Sequence, residues 1–110
     1  DLIKIANQFK NSRADHLMTV SSYPCPIEWA YKKKGGYLIE LNKKKLNIPS
    51  QKLKEKFYDT GNIYVYRKNY FSKKKINKIG FYLPYERGID IDTIEDWKFA
   101  EKIYLLNKNK

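Results

Sequence analysis

Thr93 followed three residues later by Asp96, just ahead of Trp97, Ala100, Ile103 and Tyr104, constrains this chain most. The Thr-x-x-Asp spacing forms a capping box, and acids in the first turn suit the positive end of a helix dipole. The apolar residues behind it recur at helical spacing, widened by Phe99 and Leu106, so a helix runs from Thr93 toward the end of the chain. Three runs before it carry strand propensity. His16–Ser22 holds Leu17, Met18 and Val20 and is stopped by Pro24 and Pro26, which restrict the residues before them. Asn62–Arg67 places Ile63 and Val65 on one face and Tyr64 and Tyr66 on the other. Ile79–Leu83 is a further strand, ended by Pro84.

Two β-prone runs, Trp29–Tyr31 and Tyr37–Leu41, surround Lys32–Lys34 and Gly35-Gly36 and predict a hairpin. The lysines are read as part of its turn, making the turn longer than two residues. Residues 2–13 predict a helix through Leu2, Ile5, Ala6 and Phe9, with Asp1 as its cap and Asn11-Ser12 weakening its end. Asn42–Lys56, lysine-rich and broken by Pro49, reads as an exposed arm with one helical turn from Ser50. The order is helix, strand, hairpin, arm, strand, strand, helix. That is a mixed α/β class, as if an α/β domain were cut part-way, and the start at Asp1 suits a fragment or processed chain.

At 110 residues the chain has the size of one domain, and 42% hydrophobic with 15% aromatic residues is too apolar for disorder. No run is long enough to cross a bilayer and no signal peptide opens the chain, so the expectation is a soluble cytoplasmic protein without membrane contact. The lone Cys25 allows no internal disulfide, and with His16 the sole histidine there is no Cys/His zinc site. His16 reads as a packed or surface residue rather than a base, and Cys25 lies between prolines without a local histidine. Nucleophilic catalysis finds little support.

The net charge of +11 raises the question of an anionic partner. All but three of the 23 basic residues are lysine, the exceptions being Arg13, Arg67 and Arg87. Sequence-specific DNA reading leans on arginine's bidentate fork, so this balance weighs against nucleic acid. The aromatics of Phe57–Tyr66 could form a stacking platform, but no RNP-type motif accompanies them. No glycine-rich phosphate loop is present. The basic excess is concentrated in residues 31–56 and 67–78, whereas half of the 12 acids fall within 86–101.

Within that acidic stretch lies Gly88-Ile89-Asp90-Ile91-Asp92-Thr93. An extended 89–92 puts Asp90 and Asp92 on one face and the isoleucines on the other. Two hard oxygen ligands at a strand end suit Mg²⁺, which takes few protein ligands and keeps its waters. The plainer alternative makes both aspartates turn and cap residues, like Asp96.

Several segments together resemble a family. They are Ser22-Tyr23-Pro24-Cys25-Pro26-Ile27-Glu28-Trp29-Ala30, Gln51 with Leu53, Asp59-Thr60-Gly61-Asn62-Ile63-Tyr64, and Ile89-Asp90-Ile91-Asp92-Thr93 with Asp96 and Ala100-Glu101. In order and spacing they resemble the C-terminal half of the acylneuraminate cytidylyltransferases, the CMP-sialic, CMP-pseudaminic and CMP-legionaminic acid synthetases. The resemblance implies a Rossmann-like nucleotidyltransferase sheet and cytidylyl transfer from CTP to an acidic nine-carbon 2-keto sugar. It implies Mg²⁺ held partly by Asp90 and Asp92, which are also the catalytic candidates. It implies sugar contacts at Gln51, Tyr58, Thr60 and Gly61, and a homodimer in which a hairpin and arm, about 31–56, reaches across to the partner. The family's phosphate-binding loop has no counterpart here, so the chain by itself is expected to be inactive. Pro49 and Ser50 stand where relatives often carry arginine, and Tyr58 and Thr60 replace a polar or basic pair of some members. The alternatives are a non-catalytic basic module that binds nucleic acid or another anion, and a dimerisation remnant without chemistry.

Overall fold

The computed structural model describes residues 1–43 and 53–108. Its elements are α1 (Leu2–Lys10), β1 (His16–Ser22), β2 (Tyr31–Lys34), β3 (Tyr37–Glu40), β4 (Phe57–Tyr66), β5 (Lys78–Tyr82) and α2 (Ile94–Lys108), with single 3-10 turns at Ile27–Trp29, Tyr70–Ser72 and Tyr85–Arg87. The fold is mixed α/β, with a small mixed sheet and two helices. The chain divides into two compact units, Asp1–Ser21 with Asp59–Lys110, and Ser22–Tyr58.

The first unit is built on a three-stranded sheet in the order β4-β1-β5. β1 runs parallel to β5, with His16 opposite Lys78 and Val20 opposite Tyr82. It runs antiparallel to β4: the Arg67 N–H donates to the Asp15 carbonyl at 2.9 Å, while Thr19 meets Ile63 at the other end. Alternation divides the side chains between the two faces. Leu17, fully buried, joins Ile5, Phe9 and Ala14 in the core, and Ile63, Val65, Ile79 and Phe81 pack against it. This is the face that α1 covers. On the other face Tyr64 and Tyr66 stack on the imidazole of His16, at 5.9 and 4.3 Å between centroids, and Tyr70 meets it edge-on. His16 is accordingly buried at 3% exposure, with Nδ1 2.9 Å from the Val65 carbonyl, as a packed histidine.

α1 stops at Lys10, three residues short of the expected end, where Asn11 takes the C-cap position. Its start also differs from expectation. The Asp1 carboxylate makes no cap hydrogen bond and instead pairs with Arg87. The long-range cation outcompetes the local N–H groups.

Asp15 anchors the turn into β1. It is 3% exposed; Oδ1 accepts from Lys73 Nζ at 2.6 Å and Oδ2 from the Asn77 N–H at 3.0 Å. The Asn77 hydrogen bond, then the one from Lys73, hold its carboxyl below the ordinary aspartate range, against the opposing effect of burial. The unfolded chain therefore takes up a proton at higher pH than the folded one, so this stabilisation is complete above the unfolded value and is lost as pH falls through the folded value. Urea midpoints measured from about pH 5 down to about pH 2 should fall, and Asp15→Asn should flatten part of that slope. An unchanged slope in the variant would contradict the assignment.

In the second unit, β2 and β3 pair antiparallel with Lys34 opposite Tyr37. The turn is thus the two residues Gly35-Gly36, and the lysines belong to the strand, not to a longer turn. Gly35 has φ +59°, the left-handed region that two-residue hairpin turns demand. All four β2 side chains are exposed, so nothing in this ribbon excludes lysine. Residues 44–52, most of the expected arm with its helical turn from Ser50, lie outside the described residues.

Candidate functional site

α2 starts as the Thr93-x-x-Asp96 spacing predicts. The Asp96 N–H donates to Thr93 Oγ1 at 3.0 Å, and Asp96 Oδ2 accepts from the N–H groups of Thr93 and Asp92, each at 3.1 Å. These bonds, first the one from the Asp92 N–H, hold the Asp96 carboxyl below its ordinary range. Asp96 is thereby committed to the helix start. Asp90 and Asp92, just ahead of it, are both exposed. The stripe behind the cap is not sealed: Ala100 and Ile103 are half-buried, while Trp97 and Tyr104 are exposed.

Asp90 faces a second motif. Gly61 has φ +75°, and a Cβ built on it would sit 3.0 Å from Asp90 Oδ2. A Cβ on Gly88 would meet Thr60 Cγ2 at 3.0 Å and Asn62 Oδ1 at 3.7 Å. Two stretches more than 25 positions apart, 59–62 and 88–90, thus lie directly against each other, and glycine at both contacts is what permits the approach.

Asp59 shapes that corner and carried no role in the sequence reading. Its Oδ1 accepts the Gly61 N–H at 2.8 Å, closing an Asx turn, and Oδ2 accepts the Tyr64 hydroxyl at 2.6 Å. The hydrogen bond to Asp59, then burial and the charges of Asp59, Tyr66 and Asp90, push the Tyr64 phenol above its ordinary value. The sequence signal for it was available in an aspartate two residues before a glycine.

The four sugar candidates fall in different settings. Gln51 lies outside the described residues. Tyr58 is half-buried, its ring 5.4 Å from that of Tyr23 and edge-on to it. Thr60 is 3% exposed and its hydroxyl is bonded to Thr19, 2.7 Å from Oγ1 and 3.1 Å from the carbonyl oxygen. Its structural bond is made to the sheet. Gly61 is the left-handed corner facing Asp90. Of the residues singled out, the structure brings Thr60, Gly61 and Asp90 together.

Among the described residues no group of three or more His, Cys, Asp or Glu side chains could hold a metal ion. Mg²⁺ does not need one. It is commonly held by one or two carboxylates, with water and phosphate oxygens completing the octahedron, so the exposed, uncommitted pair Asp90 and Asp92 has suitable donor chemistry. Also among the described residues, no helix is long and apolar enough to cross a membrane. A scan against protein-family models matches no family, and a search of curated proteins finds no match for this chain.

Proposed function

We propose that this chain is a C-terminal segment of a CMP-nonulosonate synthetase-like protein, with a Rossmann-like sheet, working in Mg²⁺-dependent cytidylyl transfer from CTP to a 2-keto sugar acid. The observation that supports the reading best is the contact of Gly61 with Asp90, since it joins the two motifs on which the resemblance chiefly rests.

In that reaction the anomeric hydroxyl oxygen attacks the α-phosphorus of CTP and gives up its proton to water, the bond from that phosphorus to the α–β bridging oxygen breaks, and pyrophosphate leaves with its electron pair. Asp90 and Asp92 would hold Mg²⁺, which when bound neutralises triphosphate charge and lowers the pKa of a coordinated hydroxyl. Asp90 is positioned by the left-handed corner at Gly61, which Asp59 braces through its own side chain. Asp96 contributes stability to the helix start and no ligand, because its Oδ2 already accepts two backbone N–H groups. The nucleotide loop is not among these residues, so the segment supplies carboxylates and sugar contacts rather than the CTP cradle.

Mn²⁺, a paramagnetic stand-in for Mg²⁺, tests the site on the 110-residue chain. Its addition should broaden the amide signals of residues 59–62 and 89–92. Asp90→Asn or Asp92→Asn should remove the effect, and Asp96→Asn should keep it. In a protein that joins this segment to a CTP-binding half, the first two substitutions should cut CTP-dependent pyrophosphate release by roughly a hundredfold or more. Broadening that ignores Asp90 and Asp92 would end the metal assignment. The same reading carries a homodimer through residues 31–56, and sedimentation at high micromolar concentration should show it. A persistent monomer would count against the arm.

A further inference from the structure

On the face of the three-stranded sheet opposite α1, Tyr64, His16, Tyr66 and Phe71 form a row of rings. Successive centroids are 5.9, 4.3 and 6.2 Å apart, and the planes are tilted by 21°, 11° and 22°. Phe71 ends the row at 89% exposure, the highest of any large apolar side chain among the described residues. Its turn is nevertheless well tied. The Tyr70 N–H donates to the Arg67 carbonyl at 3.0 Å, Ser72 Oγ to the Asn69 carbonyl at 2.8 Å, and the Tyr70 ring braces Phe71 edge-on at 5.0 Å. A fixed ring is thus presented to solvent, and its exposure adds nothing to the core. Residues 67–78 around it carry six basic residues and no acid. Lys73 is neutralised by Asp15, whereas Arg67 keeps its charge while donating to backbone carbonyls. Lys68, Lys74, Lys75 and Lys78 are exposed and form no ion pair among the described residues. Lys78 lies opposite His16 in the parallel register and so shares the face of the rings. The acids Asp59 and Asp90 act at the other end of the row, on Tyr64.

We infer that this face binds single-stranded nucleic acid without sequence preference, a base stacking on Phe71 while Lys78 and the lysines of the turn hold backbone phosphates. The inference goes beyond the cytidylyl-transfer reading and uses none of its site residues. Single-strand binders combine a basic track with aromatic rings on which bases stack, and the 67–78 turn presents both together. Lysine suffices for this mode. A phosphate held by a point charge carries no base information, so the scarcity of arginine counts against sequence reading and not against strand binding. The sign of the charge also places the strand: phosphates belong at the Phe71 end, because Asp59 and Asp90 repel them from the Tyr64 end. A duplex keeps its bases stacked on one another and offers Phe71 no free ring face. An anionic membrane would meet the same lysines, but one phenylalanine beside hydroxyl-bearing tyrosines gives little apolar surface to insert.

The experiment is a fluorescence-anisotropy titration of a labelled oligouridylate of about 12 nucleotides with the 110-residue chain. Binding is expected, and amide signals of the ¹⁵N-labelled chain should shift at Tyr66, Phe71 and Lys78. Oligothymidylate should bind alike, since neither stacking nor phosphate contact needs the 2′-hydroxyl. Phe71→Ala should weaken binding about tenfold, the effect of losing one stacked base. Phe71→Leu should lose as much, because leucine is apolar but has no π-face. Lys78→Gln should lower the slope of log affinity against log salt by about 0.7, the share of one phosphate contact. Lys4→Gln removes the same charge from α1, across the sheet, and should leave that slope unchanged. A Phe71→Ala variant that binds like the parent would overturn the inference. Equal slope losses in Lys4→Gln and Lys78→Gln, or equal affinity for a duplex of the same length, would do so too. Phe71→Leu that keeps its binding, in a chain that also sediments with phosphatidylserine vesicles, would assign the face to an anionic membrane instead. Mn²⁺ broadening at Asp90 and Asp92 reports on the metal site alone, so the two readings fail separately.

Discussion

Arg67→Ala should destabilise the protein by about 3 kcal/mol, among the largest effects of any single surface-reaching side chain. The guanidinium donates from Nε to the Ala14 carbonyl at 3.0 Å, and from Nη2 to the carbonyls of Phe9 at 3.0 Å and Ser12 at 2.7 Å. These oxygens belong to the end of α1 and the turn that follows, where a helix leaves its last carbonyls without internal partners. The cation also lies 4.4 Å from the centre of the Phe9 ring, adding a cation–π contribution of about 0.5–1 kcal/mol. The residue just past the end of β4 therefore closes the end of the helix that covers the sheet. Against a total stability of roughly 5–15 kcal/mol such a loss is a large fraction. Arg67→Lys should recover less than half, because an ammonium cannot reach three carbonyls with a fixed planar fork. Urea unfolding of the three proteins gives the answer. Equal stability of the lysine variant and the parent would show that charge alone, and not the fork, is required.

Gly61→Ala should have the next largest effect and should act twice. Placing an alanine at φ +75° costs about 1–2 kcal/mol. Its Cβ would stand 3.0 Å from Asp90 Oδ2, closer than ordinary contact, and the exposed carboxylate rather than the backbone is the part free to yield. Stability should therefore fall by no more than the backbone cost while the Asp90 side chain is displaced. Under the proposed metal role, Mn²⁺ broadening at Asp90 should drop at least about tenfold in a variant that remains folded. A stable variant that binds Mn²⁺ like the parent would separate the glycine contact from any metal site.

The legible parts of this chain are those whose chemistry is local. The start of α2 needs only Thr93 and Asp96, and both hydrogen bonds of the box form. Strand alternation in Asn62–Arg67 correctly sends Ile63 and Val65 to the core and the tyrosines away from it. The hairpin at Gly35-Gly36 is legible for the same reason. Its turn length is not, because an exposed ribbon tolerates lysine in a strand as readily as in a loop. Asp1 reads as a cap until Arg87, 86 positions away, is brought beside it. Asp15 and Arg67 carry no local signature, since their partners are gathered by the tertiary fold. The α2 stripe shows a further limit: periodicity reveals an apolar face but not what covers it, and Trp97 and Tyr104 remain exposed. At the site, the motifs at Asp59–Asn62 and Gly88–Asp92 were each visible. Their direct contact was not, because no spacing rule relates a strand corner to a distant loop.

The parallel pairing of β1 with β5 sets an order of events during folding. The bonds from Arg67, Lys73 and Asn77 to the turn before β1 and the end of α1 join residues 53 to 62 positions apart. Loop-closure entropy must be met before any of them forms, and topologies dominated by such distant contacts fold slowly. During synthesis β1 is made before both of its neighbours, and it stays unpaired until β4 and then β5 have followed. The β2–β3 hairpin, closed by two glycines, needs no such wait. The unit in the middle of the chain can thus assemble while the residues on either side are still unpaired, and β1 is satisfied only after strands made much later have arrived.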